Sequence, residues 1–122
     1  MGFILIADDD PLLTGLVEHQ LVARGYRVQV AGDGDEALRS MEAEAPDLVV
    51  LDAMMPRVDG AEVLRRMRDD RALACIPVIM LTARKLERDI VGAFELGAAD
   101  YVTKPVKIDE LVARISRLLS RP

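Results

Sequence analysis

Cysteine occurs once, at Cys75, so no disulfide can form within the chain. With no signal peptide to read at the N-terminus, a reducing cytoplasm is the expected setting. No apolar run approaches the ~20 residues of a membrane span. "MGFILI" also lacks the Ser or Thr that a myristoylation signal wants. Basic charge is not in excess: 16 Lys and Arg against 21 Asp and Glu give a formal net charge of −5. That argues against nucleic acid or an anionic membrane as a direct partner. There is no G-x-x-x-x-G-K-[ST] phosphate loop, no repeat, no low-complexity stretch and no internal linker.

What is present is enough for one core. The chain has 122 residues, 51% of them hydrophobic and 30% charged, which is globular material and one domain's length. We read residues 1–119 as that domain and 120–122 as a tail or the start of a linker.

Strand-like runs alternate with helix-period segments five times. The strands are "FILIA" (3–7), "RVQVA" (27–31), "LVVLD" (48–52), "PVIML" (77–81) and "DYVTK" (100–104). The first helical segment carries Leu12, Leu13, Leu16, Val17 and Leu21 at helical spacing, with Gly25 as its stop. Similar segments cover roughly 35–44, 60–69, 85–96 and 108–119. Strict alternation predicts a doubly wound, flavodoxin-like (βα)5 fold, with a parallel sheet and helices on both faces. Within the first, third and fourth strands, "FILIA", "LVVL" and "VIML" are apolar throughout, as strands buried on both faces should be, while the second and fifth are mixed and suit edges. The order 2-1-3-4-5 satisfies all five, and it places a ligand site beyond the carboxyl ends of the strands, between the first and third.

Charged groups collect there. Asp8 and Asp9 follow the first strand, Asp52 closes the third, Thr82 follows the fourth and Lys104 ends the fifth. Any one of these aspartates alone reads as a turn former or helix cap. Five such groups at the ends of four core-ordered strands read as a site. Three adjacent carboxylates raise one another's pKa, and a hard divalent cation relieves them. Mg²⁺ suits oxygen ligands that share a phosphate. Lys104 offers a point charge for a phosphoryl oxygen, Thr82 a hydroxyl, and Asp52 a carboxylate nucleophile able to form an aspartyl phosphate. Asp10, immediately before Pro11, reads as an N-cap.

The segments "ILIADDDPLL", "DGDEAL", "PDLVVLDAMMPRVDG", "PVIMLTA" and "LGAADYVTKP" resemble, in order and spacing, the receiver domain of bacterial two-component response regulators. The resemblance spans essentially the whole chain. It implies that Asp52 accepts phosphoryl from the phosphohistidine of a sensor histidine kinase or phosphotransfer protein. It implies that Asp9 binds Mg²⁺ directly, with Asp8 helping and the Met54 carbonyl adding a ligand. The backbone N–H groups of Met54 and Ala83 join Thr82 and Lys104 on the phosphoryl group, and Lys104–Pro105 is implied to be cis. Thr82 and Tyr101 are the implied switch, re-presenting the fourth helix, fifth strand and fifth helix to an output domain or downstream protein.

The ending "DELVARISRLLSRP" is most similar to regulators of the winged-helix transcription-factor subfamily. This implies a homodimer through the same face, with Asp100, Glu110 and Arg114 suited to charge pairing. Ile90 stands where a basic partner is expected and Ala99 where an acidic residue is. Met54 and Arg84 flank the site, and neither suits orienting an attacking water, so slow self-dephosphorylation is expected. Beyond that chemistry on itself the chain is not expected to be an enzyme.

Rival readings fit less well. "GDGDEA" (32–37) matches the loose dinucleotide pattern, but its acidic residues would repel a pyrophosphate, and Asp35 reads as a helix cap. A Mg²⁺-dependent aspartyl-phosphate phosphatase wants a second aspartate two residues past its nucleophile, where Met54 stands. A receiver that binds partners without phosphorylation would usually have lost one of the five residues. His19 reads as exposed surface. Arg65, Arg66, Arg68 and Arg71 read as a solvated face, with kinase docking the minor alternative. Met54, Met55 and Pro56 read as a supporting turn, with Asp59 capping the next helix.

Overall fold

In the computed structural model the three wholly apolar runs take the middle of one parallel sheet. Residues 2–83 and 87–120 are described, with the side chains of 87–90 outside that description. Strands β1 (Phe3–Ala7), β3 (Leu48–Asp52) and β4 (Val78–Thr82) are buried at every position. The edges are β2 (Arg27–Ala31), whose polar positions face solvent, and β5 (Asp100–Thr103). The order is β2-β1-β3-β4-β5, all parallel, as the apolar patterning predicts.

The fourth strand runs one residue later than predicted. Pro77 accepts from the Val49 N–H at 3.0 Å but has no N–H to donate, so the ladder opens at Val78 and closes where Thr82 pairs with Thr103. Thr82 is therefore the strand's last residue, and Lys104 the first beyond β5.

Among the described residues five helices sandwich the sheet: α1 (Pro11–Ala23), α2 (Gly34–Ala43), α3 (Gly60–Asp69), α4 (Glu87–Glu95) and α5 (Ile108–Leu119). The opening of the fourth predicted segment, residues 85–86, lies outside the described residues. Alternate strand side chains divide the core into two layers. Ile4, Ile6, Val50 and Ile79 meet Val17 and Leu21 of α1 and Leu111 and Ile115 of α5. Leu5, Val49 and Met80 meet Met41 of α2, with Leu64 and Met67 of α3 and Ala93 of α4. On α1 the i, i+4 row Leu13, Val17, Leu21 faces the sheet, while Leu12 and Leu16 lie a quarter-turn away and are exposed. In β1, Ile4, Leu5 and Ile6 are at most 1% exposed. Their burial contributes roughly 5–9 kcal/mol, enough for the strand to end in carboxylates that gain nothing from one another.

Local chemistry sets the helix starts. Asp10 caps α1, its carboxylate accepting the N–H groups of Leu12 and Leu13, and Asp59 caps α3 by accepting from Glu62 at 2.9 Å. For α2 the cap is Asp33 and not Asp35. The helix begins at Gly34, so the Asp33 carboxylate reaches the Glu36 N–H at 2.7 Å, and Asp35 falls in the first turn, 3.5 Å from Arg39. Gly25, at φ +93°, closes α1.

Candidate functional site

Two helices press their first residues onto the loop after β3. A Cβ at Gly34 would lie 1.9 Å from the Val58 carbonyl oxygen, and one at Gly60 would lie 2.3 Å from that of Asp52. Only glycine permits that approach. The loop is further fixed by Gly60 N–H to the Ala53 carbonyl (3.1 Å), by Ala53 N–H to the Leu81 carbonyl (2.8 Å) and by buried Met55 beneath it. Met54 itself is exposed, and its N–H donates to Asp52 Oδ1 at 3.1 Å. Arg57 in this loop has φ +68°.

The carboxyl ends of the strands converge as expected. Asp8 and Asp52 are each 2% exposed and Asp9 is exposed, and one oxygen from each of the three lies within 4.8 Å of the others. The Lys104 Nζ reaches over them, 3.0 Å from Asp8 Oδ2 and 3.4 Å from Asp52 Oδ2. Asp8 Oδ1 accepts the Asp10 N–H at 2.9 Å, while Asp8 Oδ2 is buried and ion-paired with that ammonium. Thr82, 1% exposed, stands one residue past Leu81, the register partner of Asp52. Ala83 follows it, exposed, and Lys104 N–H bonds the Thr82 carbonyl at 2.8 Å. The Lys104–Pro105 bond is cis.

Burial pushes the Asp52 carboxyl above the usual range. The Met54 N–H pulls it down, Asp8 adds to the rise, Lys104 subtracts, and the net is upward. For Lys104, burial alone would lower the ammonium's pKa, but Asp8 and Asp52 outweigh it and the net is again upward. Among the described residues three carboxylates thus meet one ammonium, and negative charge is in excess there. An oxygen-only donor set of three clustered carboxylates, two of them buried, fits a hard divalent cation.

On the β5 side, Tyr101 is half-buried and borders a cavity of about 340 Å³ with Phe94 and Arg114. The groups suited to pairing across a dimer pair within this chain. Arg114 binds Asp100 at 2.7 Å and Glu110 at 2.9 Å, and Arg117 lies 3.8 Å from Asp100. The predicted roles of Arg84 and Ile90 lie outside the described residues and side chains. His19 is exposed. Arg65 and Arg66 pair with Glu62 on a solvated face, whereas Arg68 turns inward to backbone carbonyls. Sequence reasoning missed that turn, and it missed the contacts of Gly34 and Gly60. "DG" before a helix signals a turn but not what the glycine touches.

A doubly wound sheet with an acid cluster and a lysine at its carboxyl rim defines an α/β domain of the flavodoxin-like class with an acidic phosphate-type site. The family model described as "Response regulator receiver domain" matches residues 4–116, and the chain belongs to that family. It is 44% identical over 118 residues to the "Alkaline phosphatase synthesis transcriptional regulatory protein PhoP" of Bacillus subtilis, covering 97% of this chain and 48% of that protein. It is 46% identical over 121 residues to the "DNA-binding dual master transcriptional regulator RpaA" of Synechocystis sp., covering 99% of this chain and 50% of that protein. The chain spans about half the length of the curated relatives it matches. Among solved structures, it resembles the receiver domain of a signal transduction histidine kinase from Syntrophus aciditrophicus. That match has TM-score 0.90 and 38% identity, covering 98% of this chain and 91% of the other. The Francisella response regulator 1452 receiver domain matches with TM-score 0.91 and 34% identity, covering 97% and 96%. The chain is thus a phosphoacceptor-type receiver domain of two-component signalling.

Proposed function

We propose that Asp52 is the phosphoacceptor, and that the phosphoryl donor is the phosphohistidine of a sensor histidine kinase or phosphotransfer protein. The observation that carries this is the shared ammonium: Lys104 lies within 3.4 Å of Asp52 and 3.0 Å of Asp8, at the rim where the fold binds ligands. An Asp52 carboxylate oxygen attacks phosphorus and forms the O–P bond. The P–N bond to the donor imidazole breaks, and the imidazole leaves with that electron pair and takes up a proton. Lys104 transfers its ion pairing from the aspartates to a phosphoryl oxygen. The Thr82 hydroxyl and the N–H groups of Met54 and Ala83 donate to the others. Asp9, Asp8, Asp52 and the Met54 carbonyl would hold Mg²⁺, whose charge when bound offsets that of the carboxylates and phosphoryl oxygens.

The chain turns over no other substrate in this reading. It acts in the cytoplasm, through Thr82 and Tyr101, on the face formed by α4, β5 and α5. That face addresses an output domain or downstream protein. The transcriptional regulators among the relatives favour an output domain, and a homodimer would use the same face. No helix among the described residues is long and apolar enough to cross a membrane. The chain's acidic balance leaves DNA contact to any output domain.

The test is a small-molecule phosphodonor with Mg²⁺, read by intact mass. One phosphoryl adduct is expected in the wild type and none in Asp52→Asn. An adduct that survives the substitution overturns the assignment. A monomer by light scattering after phosphorylation removes the homodimer.

A further inference from the structure

Arg68, in the last turn of α3, binds backbone carbonyls and no described carboxylate. Its Nη1 donates to the carbonyl oxygens of Ala74 at 2.9 Å and Leu73 at 3.5 Å, and its Nη2 to that of Gly97 at 2.9 Å. Leu73 and Ala74 belong to the turn between α3 and β4, while Gly97 belongs to the turn that closes α4. Gly97 has φ +102°, and its N–H bonds the Phe94 carbonyl while that of Ala98 bonds the Ala93 carbonyl, each at 3.0 Å. These are the paired bonds of a glycine-closed helix end. A Cβ at position 97 would lie 2.7 Å from Arg68 Nε, so the glycine serves both the turn and the guanidinium's approach. Ala99 N–H then bonds the Val78 carbonyl at 2.8 Å, splicing the chain to β4. A cation against the Gly97 carbonyl also complements the dipole at the end of α4.

The same helix begins at the acidic site, where Gly60 packs against the Asp52 carbonyl. One ten-residue helix, ~15 Å long by its rise, therefore touches the backbone of Asp52 at one end and the end of α4 at the other. We propose that Arg68 is a positioning residue that fixes the C-terminal end of α4 to α3, so that displacement of α4 on phosphorylation is confined to its N-terminal part. The second half of that statement rests on Asp52 phosphorylation. The clamp itself does not.

Residue-resolved hydrogen exchange on the whole chain tests it, with and without phosphodonor and Mg²⁺, the adduct being followed by intact mass. In unphosphorylated Arg68→Gln, the amides of Gly97 and Ala98 exchange about ten-fold faster while those of β1 and β3 do not change. Arg68→Lys, whose ammonium lacks the fork that spans two turns, falls between. On phosphorylation the wild type keeps its protection at 96–99 and changes at 87–90, whereas Arg68→Gln acquires a change at 96–99. Wild-type exchange rates in Arg68→Gln overturn the proposal, and so does uniform acceleration across the sheet. A wild-type response at 96–99 as large as that at 87–90 overturns it equally. Absence of any adduct counts against the Asp52 assignment, and the clamp is then decided by the unphosphorylated comparison.

Discussion

Lys104 sits closer to Asp8 than to Asp52, at 3.0 Å against 3.4 Å from the nearest oxygen of each. The ammonium of the resting site is therefore held first by a carboxylate of the metal-type cluster and only second by the proposed phosphoacceptor. Asp52 is left buried with one N–H donor and a shared cation, which is why its carboxyl holds a proton more tightly than usual.

A raised folded-state pKa means the folded chain binds that proton more strongly than the unfolded chain. Its effect on stability is most favourable at low pH. It is lost as pH rises from the ordinary carboxylate value through the raised one. At neutral pH the ionised Asp52 is a net cost in metal-free protein. Asp52→Asn is expected to raise stability there, with the gain shrinking as pH falls toward the ordinary carboxylate value. Urea unfolding in a chelator at pH 7.5 and pH 4.5 measures both. An Asn variant no more stable than wild type at pH 7.5 would contradict it.

Mg²⁺ is expected to stabilise the folded chain, since the acid cluster exists only in the fold. At ten times its dissociation constant the gain is about 1.4 kcal/mol, seen as a rise in Tm that a chelator reverses. Asp9→Asn should remove most of the rise. A rise of wild-type size in that variant would take Asp9 out of the ligand set.

Gly60→Ala and Gly15→Ala should move stability in opposite directions. The first forces a Cβ to within 2.3 Å of the Asp52 carbonyl oxygen, and the second meets nothing within 4 Å on the exposed face of α1. The expected changes are a loss of about 2–4 kcal/mol for Gly60→Ala and a gain of about 0.5–1 kcal/mol for Gly15→Ala. Urea midpoints with matching slopes would show it, and a neutral Gly60→Ala would not be compatible with this packing.

Arg57→Gly is expected to stabilise by roughly 0.5–1 kcal/mol, because φ +68° strains any residue with a Cβ. The contact it gives up is a solvent-exposed pairing with Asp33 at 3.9 Å, which contributes little. A lower Tm for the variant would assign Arg57 a role that this contact does not explain.

The strand order was legible because burial on both faces writes continuous apolar runs into β1, β3 and β4, while β2 alternates. The acidic site was legible because its members stand where strands end. The one-residue offset of β4 was not, since Pro77, with no N–H to donate, is left outside the ladder that opens where Val49 pairs with Val78. Asp33 and Asp35 could not be told apart as caps in "GDGDEA", where a one-residue change in the helix start exchanges their roles. The partners of Arg68 lie 5, 6 and 29 residues away and are main-chain carbonyls, which no residue pattern marks. Asp100, Glu110 and Arg114 carried the right charges for pairing, but charge alone does not say whether the partner is in the same chain.

Cys75 is exposed in the turn between α3 and β4, one residue past a carbonyl that Arg68 holds. That turn lies at the amino-terminal rim of the sheet, opposite the acidic site. As the chain's single thiol, Cys75 can join two copies of this chain through one kind of disulfide, Cys75 to Cys75. Such a pair would join two copies back to back at the rim farthest from Asp52. It would form without regard to the state of that aspartate. A dimer that survives denaturation and vanishes with reductant is this one, and it reports air and not signal.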